Sequence, residues 1–140
     1  EDNLNMARCA LASGDAEAAT AARQAMAGVN LEALDPTDRL EAECVLAVLE
    51  GGDGAARYER LRRAIAELSE VPVQVAVDVA RAALAFDDRQ MSDVTMEKML
   101  VGRQARLAFQ PLLAIYQEHG LEEHFRKVQN RAALKRLNKA

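Results

Sequence analysis

The feature that most constrains this 140-residue chain is how often its helical patterning is interrupted by paired stop and start signals. Gly14-Asp15, Asp35-Pro36-Thr37-Asp38, Gly51-Gly52-Asp53, Asp87-Asp88-Arg89-Gln90 and Gly120 punctuate it. Glycine ends a helix because it takes the left-handed conformation without penalty. Aspartate starts one because its carboxylate accepts from the free N–H groups of the first turn, and proline suits the first helical position. The signals predict helices at about Asn3–Ser13, Ala16–Ala27, Pro36–Glu50, from after Asp53 to near Ser69, Pro72–Phe86, Ser92–Phe109, Pro111–His119 and Leu121–Leu137, with a short turn at Leu31–Leu34. Ser92 with Asp93 is the expected cap of the sixth helix, and Pro111 is expected either to kink it or to begin a new one, placed here as a short seventh helix.

Only one segment argues for a strand. Val71, Val73, Val75, Val77 and Val79 alternate strictly. Yet Gln74, Asp78 and Arg81 share one helical stripe, and no second strand exists to complete a ladder. Aromatics are 4% and Ala, Leu, Glu and Arg dominate, which favours helix. A largely buried fifth helix is the expectation.

The apolar stripes are Tyr58, Leu61, Ile65 and Leu68 in the fourth helix, and Leu121, Phe125, Val128 and Ala132 in the eighth. Leu134 and Leu137 fall off the latter. Met91, Met96 and Met99 read as core filler in the sixth helix. At this length one domain is expected. The chain starts at Glu1 without a methionine, and reads as a piece of a longer protein. The absence of an uncharged apolar run of about 18 residues argues against a membrane span, and a cytoplasmic protein is expected.

Gly14-Asp15-Ala16-Glu17-Ala18-Ala19 and Gly52-Asp53-Gly54-Ala55-Ala56-Arg57 each join two helices and lie 38 residues apart. With Asp35-Pro36 between them, they resemble the tetratricopeptide repeat, best over residues 3–70. The resemblance implies an all-α fold of seven to eight helices, stacked as antiparallel hairpins in a tetratricopeptide-like right-handed superhelix. It places Ala19 and Ala64 where hairpin helices meet. One hairpin cannot bury its own apolar face, so neighbours must stack. The family's concave groove holds a peptide or helix of another protein. The implied role is therefore a non-catalytic interaction module, an adaptor or chaperone. A C-terminal regulatory or dimerisation domain of a bacterial signalling protein, pairing through helices six to eight, is the alternative.

Candidate chemistry is sparse. His119-Gly120-Leu121-Glu122-Glu123-His124 fails as a metal motif, because its histidines are five apart with a helix breaker between them. They read as exposed helix-end residues. Cys9 and Cys44 sit among apolar neighbours and read as buried thiols. Gly51-Gly52-Asp53-Gly54 lacks the lysine and the strand of a phosphate loop. No cofactor, metal or catalytic residue is expected.

Three arginines are the candidate partner-binding residues. Arg8 and Arg39 fall in the first helices of the two repeats, and Arg103 interrupts the stripe Met96, Leu100, Leu107. An arginine on an apolar stripe must snorkel, pair, or meet a partner's carboxylate. Charge is also divided unevenly. Arg126, Lys127, Arg131, Lys135, Arg136 and Lys139 follow one another without an acid, although net charge is −4. The sign of that charge and the missing stacking aromatics argue against nucleic acid.

Overall fold

The computed structural model describes residues 2–68 and 71–139, and the side chains of 3–68 and 71–138. Within them lie eight α-helices and no strand. They are α1 (Asp2–Ser13), α2 (Ala16–Ala27), α3 (Pro36–Glu50), α4 (Ala55–Ala66), α5 (Val73–Ala85), α6 (Arg89–Val101), α7 (Ala105–Glu118) and α8 (Glu122–Lys139). Short 3₁₀ turns occupy Leu31–Ala33 and Gly51–Gly54. The chain divides into two compact units, Glu1–Ile65 and Ala66–Ala140.

In the first unit α1 and α2 form a hairpin, and α3 packs against both. The interface is built from small residues. Ala7 and Ala10 of α1 meet Ala22 and Met26 of α2 and Ala42, Val45, Leu46 and Leu49 of α3. Ala19 is partly buried against this core. Asp15 starts α2 by accepting from Glu17 N at 3.0 Å, and Asp35 starts α3 by accepting from Asp38 N at 2.9 Å. The expected stripe of α4 buries Tyr58, Leu61 and Ile65. Its fourth member, Leu68, lies beyond the helix, and the expected end at Ser69 lies outside the described residues. Ala64 is exposed, which removes it as a packing position.

In the second unit α5 packs against α6 and α7, α6 also against α7 and α8, and α7 against α8. Leu84, Met96, Leu100, Leu112, Ile115, Tyr116, Phe125 and Val128 dominate its core. The valine segment is helix α5. Its alternation cannot choose a strand, because Val75, Ala76, Val79, Ala80, Ala82 and Ala83 are all buried and most of the circumference is covered.

Two helices end in the same way by different residues. After α7, Gly120 takes φ 68°, and Leu121 N and Gly120 N donate to Tyr116 O and Gln117 O. After α5, Asp87 takes φ 58°, and Asp88 N and Asp87 N donate to Ala83 O and Leu84 O. Both are the paired closure that satisfies the last carbonyls, and aspartate replaces glycine in the second.

Three sequence expectations need correction here. The sixth helix begins at Arg89, with Asp88 accepting from Met91 N at 3.3 Å, so Ser92 and Asp93 are not its cap. It ends at Val101, and the break falls at residues 102–104, not at Pro111. Pro111 lies inside α7. Having no N–H, it leaves the Leu107 carbonyl without its usual donor, but both residues are exposed and water can take that place. Finally, Cys44 is buried as expected, whereas Cys9 is exposed on α1.

Gly54 marks the closest backbone approach. A Cβ there would overlap the Ala47 carbonyl oxygen, and would sit 2.8 Å from its carbonyl carbon and 2.9 Å from its Cα. Backbone cannot yield as a flexible side chain does. Gly54→Ala should therefore destabilise the protein by about 2 kcal/mol or more, measured by denaturant unfolding. Gly52→Ala, which meets nothing within 4 Å, should differ from wild type by well under half of that.

Candidate functional site

A groove of about 840 Å³ runs between α7 and α8 of the second unit. Its wall on α7 carries Ala105, Arg106, Leu107, Phe109 and Gln110, and its wall on α8 carries Gln129, Ala132, Ala133 and Arg136. Leu100 and Arg103 close it at one end. On α8, positions 129, 132, 133 and 136 fall at i, i+3, i+4 and i+7, so one stripe faces the groove. Leu107 is 68% exposed, a large apolar surface left in water at the groove's edge.

The electrostatics of this groove are one-sided. Its lining holds three guanidiniums, Arg103, Arg106 and Arg136, and no carboxylate. None of the three makes an ion pair or side-chain hydrogen bond among the described residues. A second hollow of about 460 Å³ lies on the other side of Arg103, lined by Val71, Pro72, Lys98, Met99, Gly102 and Gln104. There the Lys98 ammonium is already engaged, donating to Leu68 O at 3.1 Å. Arg103 thus stands between two hollows, in the connection after α6. It does not interrupt a helical stripe, because the helix has ended before it.

The other two predicted arginines belong to the first unit, and their charges are answered locally. Arg8 donates to Glu41 Oε2 at 2.5 Å and to Asn5 Oδ1 at 2.9 Å, beside a small hollow of about 260 Å³. Arg39 lies 3.5 Å from Glu43 one turn along α3. Glu41 and Glu43 are two residues apart and project from different faces of α3, so Arg8 and Arg39 do not converge. Glu43 is shared with Arg57, which also bonds Glu50 at 2.7 Å. The hydrogen bond that Glu50 accepts, with help from both negative charges, holds the Arg57 guanidinium protonated above even its ordinary range.

At the opposite end of the second unit a polar chain ties three helices. Tyr116 Oη of α7 donates to Asp93 Oδ1 of α6 at 2.7 Å. Its single hydrogen being used, it accepts from Ser92 Oγ, also at 2.7 Å. His124 Nε2 of α8 lies 2.5 Å from the other oxygen of Asp93, and its ring stacks over Tyr116. His124 is therefore half-buried and bonded, a correction to its expected exposure, while His119 is exposed. The four residue types suggest a catalytic relay, but Ser92 and Tyr116 are sealed from solvent and no substrate can reach them. The chain's work is to fix α6, α7 and α8 together. No cluster of metal-binding side chains occurs among the described residues.

No family model, curated protein or solved structure gives a significant match to this chain. The all-helical packing is compatible with a helical repeat, and no family match assigns the tetratricopeptide repeat to it. None of the described helices is long and apolar enough to cross a membrane.

Burial above all, and with it the hydrogen bond to Asp93 and that residue's charge, push the Tyr116 phenol well above its ordinary value of 10.0, against the hydrogen bond donated by Ser92, which pulls the other way. A group whose proton is held more tightly when folded stabilises the fold below its unfolded pKa and loses that contribution as pH rises past it. Tyr116→Phe should cost about 1–3 kcal/mol at pH 7. Above about pH 10 the gap between wild type and variant should shrink by up to about 1.4 kcal/mol per pH unit, read from paired unfolding curves.

Proposed function

We propose that this chain is a non-catalytic protein-interaction module, an adaptor or chaperone that holds a segment of another protein between α7 and α8. One observation carries the reading. The groove combines exposed apolar surface with three guanidiniums that have no partner among the described residues. Elsewhere in the molecule the less exposed arginines are matched, Arg8 by Glu41, Arg57 by Glu43 and Glu50, Arg81 by Glu118. Unmatched cations over an apolar floor fit a surface that awaits a carboxylate-bearing partner.

The same proposal includes a tetratricopeptide-like superhelical stack in the cytoplasm. Its support is the order of packing, in which each third helix rests on the hairpin before it. Of the three arginines expected to touch a partner, Arg103 keeps that role. Arg8 and Arg39 contribute to the fold through their own carboxylates.

A second reading, a regulatory domain that dimerises through α6 to α8, is favoured by Leu134 and Leu137. They are 62% and 71% exposed on α8. Light scattering over a range of concentrations separates the two. A mass that doubles with concentration, and returns to the monomer value in Leu134→Lys, belongs to the dimer.

Site-specific crosslinking tests the docking reading directly. A photoreactive group placed at Leu107 should capture a protein partner in native extract, while the same group at exposed Gln24 should not. Replacing Arg103, Arg106 and Arg136 together by Ala should reduce that capture about tenfold, the effect of about 1.4 kcal/mol. Equal capture at Leu107 and Gln24 would count against the groove.

A further inference from the structure

From the packing order we infer that the occupant of the α7–α8 groove is an acidic amphipathic α-helix, seated as the next member of the helical stack. The inference rests on the docking reading above and names the partner's chemistry. Its basis is a rule that both units obey internally. In the first unit the cleft of the α1–α2 hairpin is filled by α3, and in the second the cleft of the α5–α6 hairpin is filled by α7. α7 and α8, with α8 resting chiefly on α6, also leave a cleft between them, and it is the groove of about 840 Å³.

What fills the two inner clefts is in each case one amphipathic helix. α3 presents Ala42, Val45, Leu46 and Leu49, and α7 presents Ala108, Leu112, Ile115 and Tyr116. Helices pack in such clefts at interaxial distances of about 8–10 Å, with small residues allowing close approach. Ala133 supplies such a small residue at the surface of the open cleft, over buried Ala132, and exposed Leu107 supplies the apolar ridge. The occupant therefore needs an apolar stripe at three- and four-residue spacing.

Charge then selects among the helices that have such a stripe. Docking removes water from Arg103, Arg106 and Arg136, and a guanidinium that loses water without gaining an acceptor is costly. Carboxylates flanking the stripe supply acceptors in bidentate geometry. A second copy of this chain, docking the same face by two-fold symmetry, would bring the three arginines against their own copies. A nucleic acid would supply phosphates but would leave the apolar ridge against a charged backbone, and the groove's one aromatic, Phe109, packs on the core.

The experiment uses the whole chain and designed peptides. The probe has 14 residues, the length of α7, with Leu on one face and Glu on both flanks of that face. Three comparison ligands accompany it, namely the same peptide with a central proline, the same peptide with Lys for Glu, and a short DNA duplex. Fluorescence anisotropy should show saturable binding of the acidic helical peptide, weakened about tenfold or more by the central proline. It should be weakened as much by replacing the three arginines with Ala. Replacing them with Glu should reverse the preference, so that the Lys peptide binds better than the Glu peptide. All three arginines lie at the surface groove, and circular dichroism confirms that each variant retains its helices.

Equal binding of the straight and proline-broken peptides would overturn the helical occupant. So would tighter binding of the duplex, absence of peptide binding, or failure of the Glu variants to reverse the preference. If the Leu107 crosslink captures a protein while the peptides fail, the docking reading survives and the acidic helix does not.

Discussion

The hydroxyl of Tyr116 sets the register on which the second unit depends. It sits in a fully buried position and both of its hydrogen-bonding capacities are used, one toward Asp93 and one toward Ser92. Sliding α7 by one residue along α6 would strand a buried hydroxyl and a buried serine, each at about 1–3 kcal/mol. Apolar packing alone tolerates such slips far better, because one aliphatic contact replaces another. His124 carries the same constraint to α8 through the second oxygen of Asp93. With α7 and α8 pinned at this end, their other ends are placed too. Arg106 lies ten residues from Tyr116, about 15 Å along the helix, and Arg136 lies twelve residues from His124, about 18 Å. A polar tie at one end thus decides which side chains face each other across the groove at the other.

Much of the helical order could be read from local signals. Asp15, Asp35 and Pro36 act within one turn of themselves, and Gly14, Gly51 and Gly120 all take positive φ where a helix stops. The misreading of Pro111 has a different origin. A proline inside a helix costs about 3 kcal/mol, which in isolation ends it. Here the same helix buries Ala108, Leu112, Ile115 and Tyr116, and that burial outweighs the local penalty. Val71–Val79 shows the converse. An alternating pattern distinguishes strand from helix only when one face is wet, and α5 is covered around most of its surface. Asp87 was hidden for a third reason, since nothing in the sequence tells which aspartate of an Asp-Asp pair takes the left-handed position.

The candidate site was less legible, because pairing between distant residues is a property of the folded chain. Arg8 and Glu41 are 33 positions apart, and no spacing rule connects them. Arg103 drew attention as an intruder on a continuous helix, yet it occupies the break after α6, where its exposure costs little. Arg106 carries no signal at all beyond its charge. Arg136 belongs to a visible basic run, but Lys135 beside it is bound to Glu97 while Arg136 is not. The difference follows from the helical angle between adjacent residues, about 100°, which turns one toward α6 and the other toward the groove.

Free arginines on a groove act on both sides of a binding equilibrium. In the unliganded protein they stay hydrated, so they cost nothing in folding and discourage the exposed Leu107 surface from joining another copy of itself. On docking they must surrender part of that water. A purely apolar segment would gain the burial of Leu107 and its neighbours, worth about 25 cal/mol per Å², and then lose much of it to three uncompensated guanidiniums. An acidic segment gains the same burial and keeps the charges satisfied. The arginines therefore penalise the wrong partner more than they reward the right one, and selectivity in such a groove comes chiefly from that penalty.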